Sequence, residues 1–192
     1  EQSLVASSLG REVDTVVVTG RPTLSRPIHA LLARPDVRVI LVDPHAPWVD
    51  VSGNASVVVA DLEPAREPIR AAQAEWASRA REAARDAGER IDSLLAAGSG
   101  RTTLDLARAV AASTSGPLVL GASNPVRAFD LAVPTLEGRV VHSNRGQAGI
   151  DGTIATAVGI AVGAGYGGET TVPAGQRVTA VMGDLTACHD AS

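Results

Sequence analysis

The sequence predicts an α/β fold of doubly wound, mostly parallel sheets, with parts of two domains in one chain. Three observations carry that expectation. The β-branched runs Asp14–Thr19 and Val37–Val42 flank a helical stretch, so residues 13–43 have the layout of one βαβ unit with a right-handed crossover. From Glu63 to Leu95 the composition turns to alanine, arginine and glutamate, which suits a long, partly solvated helix at a domain boundary. In the second half, three short apolar segments each empty into a polar loop that leads to a helix: Leu118–Leu120, Arg139–His142 and Arg177–Met182. Such loops line the carboxyl edge of a doubly wound sheet, where ligands bind.

Taken in order, residues 1–12 have no clear period and read as a frayed helix or linker. The first strand ends at Gly20, and Arg21–Pro27 is a loop into a helix. Ser25 suits its N-cap and Pro27 its first turn. Leu31 and Leu32 then face the sheet. After the second strand, residues 43–48 are irregular, and a short strand follows Gly53 over Ser56–Ala60. Gly98–Gly100 breaks the long helix, and Thr102 or Thr103 caps the next, Leu104–Ala112. Thr153–Tyr166, the longest apolar run, has 14 residues, whereas a membrane span needs about 20. It reads as a buried helix.

Composition narrows the function classes. Of 192 residues, 45% are hydrophobic and only 2% aromatic, so the core is built from Ala, Val, Leu and Ile. The formal net charge is −4, which gives no reason to expect a nucleic-acid partner even though all 17 basic residues are arginine. Coding bias explains arginine without lysine more simply than phosphate binding does. A single cysteine, Cys188, excludes an internal disulfide framework and suits a reducing compartment. The chain does not open with methionine or a signal peptide, and it reads as part of something longer.

The densest chemistry lies in residues 143–152, Ser-Asn-Arg-Gly-Gln-Ala-Gly-Ile-Asp-Gly. Three glycines permit positive φ and close backbone approach beside Ser143, Asn144, Arg145 and Asp151. Asp151 reads as structural, bonding backbone in its turn. Gly183–Asp184 puts a carboxylate beside a helix N-terminus, where N–H groups and the dipole favour phosphate. Mg²⁺ is typically held by one or two carboxylates plus phosphate oxygens, so Asp184 suggests a magnesium diphosphate site. An ordinary N-cap is the competing reading. Arg127 and Arg145 can form bidentate contacts with substrate carboxylates or surface salt bridges. His142 and His189 lack partners at zinc-ligand spacing, and neither a serine-hydrolase elbow nor a dinucleotide fingerprint is present.

Gly121-Ala-Ser-Asn-Pro-Val-Arg127, Ser143–Gly152 and Gly183-Asp-Leu-Thr-Ala-Cys-His-Asp190 resemble, in order and approximate spacing, segments of the MenD family of thiamine-diphosphate enzymes. Thr19–Pro27 looks like the start of a βα unit in that family's central domain, and the arginine bias is similar to its actinobacterial members. The family makes 2-succinyl-5-enolpyruvyl-6-hydroxy-3-cyclohexene-1-carboxylate (SEPHCHC) from isochorismate and 2-oxoglutarate, in menaquinone biosynthesis.

The resemblance implies the thiamine-diphosphate-enzyme fold, with residues 1–72 the second half of a central domain and 73–192 the first half of a diphosphate-binding domain. It implies thiamine diphosphate with Mg²⁺ or Mn²⁺ as cofactors. Asp184 matches a metal ligand, with Gly183 and the Leu185–Thr186 backbone along the diphosphate. Ile150 matches the apolar residue that holds the cofactor bent. Ser123, Arg127 and Arg145 match carboxylate-binding positions, and Arg26 falls near a basic position of the central domain. It also implies a cytoplasmic homo-oligomer, dimer or tetramer, without nucleic-acid partner or membrane span. The activating glutamate and a second metal ligand, an asparagine, have no match in this chain, so the chain alone is expected to be inactive. The alternatives are another thiamine-diphosphate carboligase or decarboxylase, or a non-catalytic α/β interaction module.

Overall fold

The computed structural model describes residues 2–22, 25–45, 50–62, 71–98, 100, 102–144, 150–165 and 177–190. It resolves into two compact units, residues 1–87 and 88–192. The fold is α/β, as the sequence predicts, and both sheets are parallel.

In the first unit, two single-turn helices, α1 (Gln2–Val5) and α2 (Ser8–Arg11), precede β1 (Thr15–Val18). Helix α3 (Arg26–Leu32) leads to β2 (Arg38–Val42), and β3 (Ala55–Val59) completes a sheet in the order β1-β2-β3. The Ser25 side chain accepts the Ile28 N–H at 3.4 Å and Pro27 occupies the first turn, so local chemistry fixes where α3 begins. Leu31 and Leu32 pack with Val18, Val37, Val39 and Leu41 into one core on one face of the sheet. The opposite face is more open. Val17, expected inside a buried strand, is 45% exposed, because the described helices cover only the face that carries Val16 and Val18.

Entry into β3 depends on Asp50. Its carboxylate accepts the N–H groups of Ser52, Gly53 and Ala55 at 3.1, 2.9 and 2.7 Å, closing a turn in which Gly53 has φ +68°. Asn54 then donates to the carbonyls of Leu32 and Arg34. The long helix α4 (Ala71–Ala97) begins in this unit, where Trp76 Nε1 donates to the Leu9 carbonyl at 3.1 Å and Arg79 pairs with Glu12.

The second unit takes up the end of α4 and continues with α5 (Thr103–Ser113), β4 (Leu118–Leu120), α6 (Asn124–Ala132), β5 (Val141–His142), α7 (Thr153–Gly165), β6 (Thr179–Val181) and α8 (Asp184–Asp190). Thr102 is the N-cap of α5, and it exchanges bonds with Asp105 in a capping box. The sheet order is β5-β4-β6. Leu118, Leu120, Ala107, Ala128 and Phe129 form the core between α5, α6 and one face of the sheet. Val119, of opposite parity, is fully buried on the other face.

Two corrections to the sequence reading have physical causes. The strand expected over Arg139–His142 forms only at Val141–His142. Arg139 is diverted to pin the α5–β4 loop, donating to the Gly116 carbonyl and the Thr114 hydroxyl. Helix α7, expected to be buried, exposes Val158 and Val162, since it packs against β4, β6 and α8 on one side only.

Gly116→Ala should destabilise the second unit by ~2 kcal/mol, the usual scale of an overpacked site, because a Cβ there would lie 2.0 Å from the Arg177 carbonyl oxygen. A chemical-denaturation midpoint equal to wild type would contradict this. Asp50 provides a pH test. The Ala55 N–H foremost, then those of Ser52 and Gly53, hold its carboxyl below the usual carboxylate range against partial burial. A depressed folded-state pKa contributes stability above the unfolded value that is lost as pH falls through the folded one. Asp50→Asn should therefore be less stable than wild type at pH 7, and the gap should close in acid. A gap independent of pH in thermal-unfolding series would refute the assignment.

Candidate functional site

Parallel pairing decides where the polar loops go. β4 pairs in parallel with β5 through Leu118–Val141 and Val119–His142, and with β6 through Leu118–Thr179 to Leu120–Val181. All three carboxyl ends therefore lie on one edge of the sheet. The chain leaves β4 toward β5 and later crosses back to β6 on the other side, so the topological switch point falls between β4 and β6. The Gly121 N–H donates to the Val181 carbonyl at 2.8 Å, and a Cβ on Gly121 would touch Met182 at 3.4 Å. These close contacts hold the exits of β4 and β6 side by side.

From the β4 exit, Ser123 immediately precedes α6 and Arg127 stands within it. The Ser123 hydroxyl makes no capping bond to the helix. The Arg127 side chain is exposed and has no partner among the described residues. At the β6 exit the Ala187 N–H bonds the Gly183 carbonyl at 3.0 Å, so glycine occupies the N-cap of α8. A glycine cap supplies no side-chain acceptor. The Asp184 carboxylate is exposed and bonds neither its own helix nor any other described residue. Asp184 is therefore not the N-cap. Leu185 is 68% exposed, whereas the Thr186 side chain is buried at 3%, leaving only its backbone toward the helix start.

At the β5 exit, Asn144 accepts the Thr156 hydroxyl at 3.0 Å, and the same hydroxyl lies 2.7 Å from the Gly152 carbonyl. Gly152 has φ +77°, the left-handed turn that starts α7. Half-buried Ile150 comes just before, its carbonyl accepting the Thr153 hydroxyl at 3.3 Å. Arg145 lies outside the described residues. Arg26 opens α3 in the first unit and is exposed.

One carboxylate here has no local sequence signal. Asp190, the last residue of α8, accepts the Gly152 N–H at 2.6 Å and the Ile154 N–H at 2.7 Å, bridging to the start of α7 from 38 and 36 residues away. The Ile154 bond, then that from Gly152, holds its carboxyl below the usual range against partial desolvation. Asp151, expected to bond backbone in its own turn, instead stands 3.8 Å from His189 Nδ1, and Asp190 makes the backbone bonds in its place. Thr156, with Thr153 one of two hydroxyls in an otherwise apolar helix, carries a signal legible in the sequence.

Chemically, and among the described residues, one strand exit leads to a glycine-capped helix start with an unpartnered carboxylate, and the next leads to a helix with a hydroxyl just before it and an unpartnered guanidinium within it. This combination suits a cation with an anionic phosphate or carboxylate ligand.

No family model matches the chain. Among curated proteins it is similar to 2-succinyl-5-enolpyruvyl-6-hydroxy-3-cyclohexene-1-carboxylate synthase of Nocardioides sp., with 41% identity over 98% of this chain and 35% of that protein. The synthases of that name from Mycobacterium leprae and Mycolicibacterium vanbaalenii are 43% and 42% identical, over 92% and 93% of this chain and 32% and 31% of theirs. The chain spans about a third of the length of the curated relatives it matches. Over nearly its whole length, then, this chain is similar to synthases of the MenD family, matching about a third of each.

Proposed function

We propose that the chain is part of a thiamine-diphosphate- and Mg²⁺-dependent synthase that joins decarboxylated 2-oxoglutarate to isochorismate, giving SEPHCHC in menaquinone biosynthesis. The observation that carries the reading is the Asp184 carboxylate, without a partner among the described residues, beside the glycine-capped start of α8, in a chain 41–43% identical to SEPHCHC synthases over a third of their length. Those residues fit a metal diphosphate. Asp184 would ligand Mg²⁺ or Mn²⁺ together with phosphate oxygens, and the N–H groups from Asp184 to Thr186 would face the diphosphate, with Gly183 allowing close approach. Among the described residues no three His, Cys, Asp or Glu side chains converge on a metal, so the diphosphate would supply much of the coordination.

The bound cofactor would supply the decarboxylation and carbon–carbon bond chemistry; the protein's part is binding and orientation. Ile150 would support the cofactor's rings from the β5 side. Ser123 would hydrogen-bond a substrate carboxylate, and Arg127 would pair with one through its free guanidinium. Arg145 and Arg26 are further candidates for the carboxylates of isochorismate and 2-oxoglutarate. In this reading residues 1–72 belong to a central domain and 73–192 to a diphosphate-binding domain, and the whole enzyme is a cytoplasmic homo-oligomer. No described helix is long and apolar enough to cross a membrane.

Titration of thiamine diphosphate with Mg²⁺ into the full-length protein carrying this chain tests the reading by calorimetry. Wild type should bind, and Asp184→Ala should bind at least tenfold more weakly, a loss of about 1.4 kcal/mol. Absence of binding to wild type would overturn the proposal and favour a non-catalytic module. Equal binding by the variant would remove Asp184 from the site.

A further inference from the structure

Helix α8 carries a carboxylate at each end, and the two have opposite circumstances. Asp184 at its start has no partner among the described residues, while Asp190 at its end is committed to two backbone N–H groups at the start of another helix. Over seven residues a helix advances about 9 Å between its first and last Cα, so the metal-ligand candidate and the clamp are joined by one short rigid element.

What Asp190 grips matters more than the number of bonds. Gly152 and Ile154 bracket the first residue of α7, two and four positions after Ile150. The first turn of a helix has N–H groups without intrahelical acceptors, and an anionic acceptor there is favoured by the dipole as well as by hydrogen bonding. Here the acceptor belongs to the helix that bears Asp184. The same turn is held from the β5 side by Thr156, whose hydroxyl meets Asn144 and the Gly152 carbonyl, and from within by Thr153 on the Ile150 carbonyl. His189 adds its ring nitrogen 3.8 Å from Asp151, so two consecutive residues of α8 engage two consecutive residues of the turn. Ile150 is thereby tied to α8 through backbone, and its side chain is only half-buried.

We infer that Asp190 is a positioning residue: by clamping the start of α7 to the end of α8, it sets the apolar Ile150 at a fixed separation from Asp184. The inference rests on the cofactor-site reading above. It requires that the two ends of one ligand be recognised by different elements, the diphosphate and its metal by α8 and the ring portion by Ile150. Releasing the clamp would then leave the anionic end held and let the ring support drift. Asp190 itself touches neither.

The test compares two ligands on the full-length protein, without recourse to activity. Mg²⁺ with thiamine diphosphate probes both ends, and Mg²⁺ with inorganic diphosphate probes the α8 end alone. For Asp190→Ala, affinity for thiamine diphosphate should fall about tenfold or more while affinity for inorganic diphosphate stays within twofold of wild type. Asp190→Asn, which keeps one acceptor oxygen and preserves the fold if the alanine variant does not, should show the same selective loss to a smaller degree. Equal losses for both ligands would mean that Asp190 merely maintains α8, and unchanged binding of both would mean that the clamp positions nothing; either result overturns the inference. Failure of the cofactor reading is distinguishable, because wild type itself would then bind neither ligand, and the inference would fall with it.

Discussion

The second unit depends on β4 being paired in parallel on both sides. Antiparallel neighbours would send alternate loops to opposite edges; two parallel neighbours put the exits of β4, β5 and β6 on the same edge. The strands that accomplish this are only two or three residues long, so their ladders contain few hydrogen bonds. Close packing compensates. Leu118 and Val119 are fully buried, Gly116 lets the Arg177 backbone approach where no side chain would fit, and Arg139 braces the loop entering β4 through bonds to Gly116 and Thr114. Without the buried β4, the polar loops would have no common frame.

Within that frame, two of the helices that begin at the edge, α7 and α8, are finished in opposite ways. The start of α7 is satisfied by a distant carboxylate, so its N–H groups are spent within the protein. The start of α8 is finished by a glycine, which leaves its N–H groups and the Asp184 carboxylate available. A helix start with no side-chain acceptor is an unmet hydrogen-bonding demand, and water or an anionic ligand meets it. The neighbouring α7 start, with the same intrinsic polarity, has that demand met internally. This difference separates the helix start that is available from the one satisfied within the protein.

The sequence conveyed the strands of the first unit, the α3 start at Ser25–Pro27, the α5 cap and the common edge of the three loops, because these depend on local patterns of β-branching, capping and glycine. It did not convey Asp190. A carboxylate at a helix end looks like any solvated acid until the fold brings a second helix to it, and that contact spans 36 residues. Arg139 departs from its pattern for a related reason: the β-branched continuation suggests a strand, but the guanidinium finds acceptors in the Gly116 and Thr114 loop. Burial on both faces of β1 was likewise inferred from composition, whereas Val17 shows that a hydrophobic run does not determine how many layers cover it.

Asp184 is where local and tertiary information meet. Its sequence setting supports two roles, a helix cap or a metal ligand, and composition cannot separate them. The fold removes the first by assigning the cap to Gly183: once its carbonyl takes the Ala187 N–H, the helix starts one residue too early for the Asp184 side chain to be its N-cap. The carboxylate then stands at a positive helix end, exposed and without a partner among the described residues. A negative group there is favoured by the dipole in the absence of a ligand and stays available when a cation arrives with its own anionic oxygens. The same placement would suit the metal ligand of the proposed site, which a buried or salt-bridged aspartate would not.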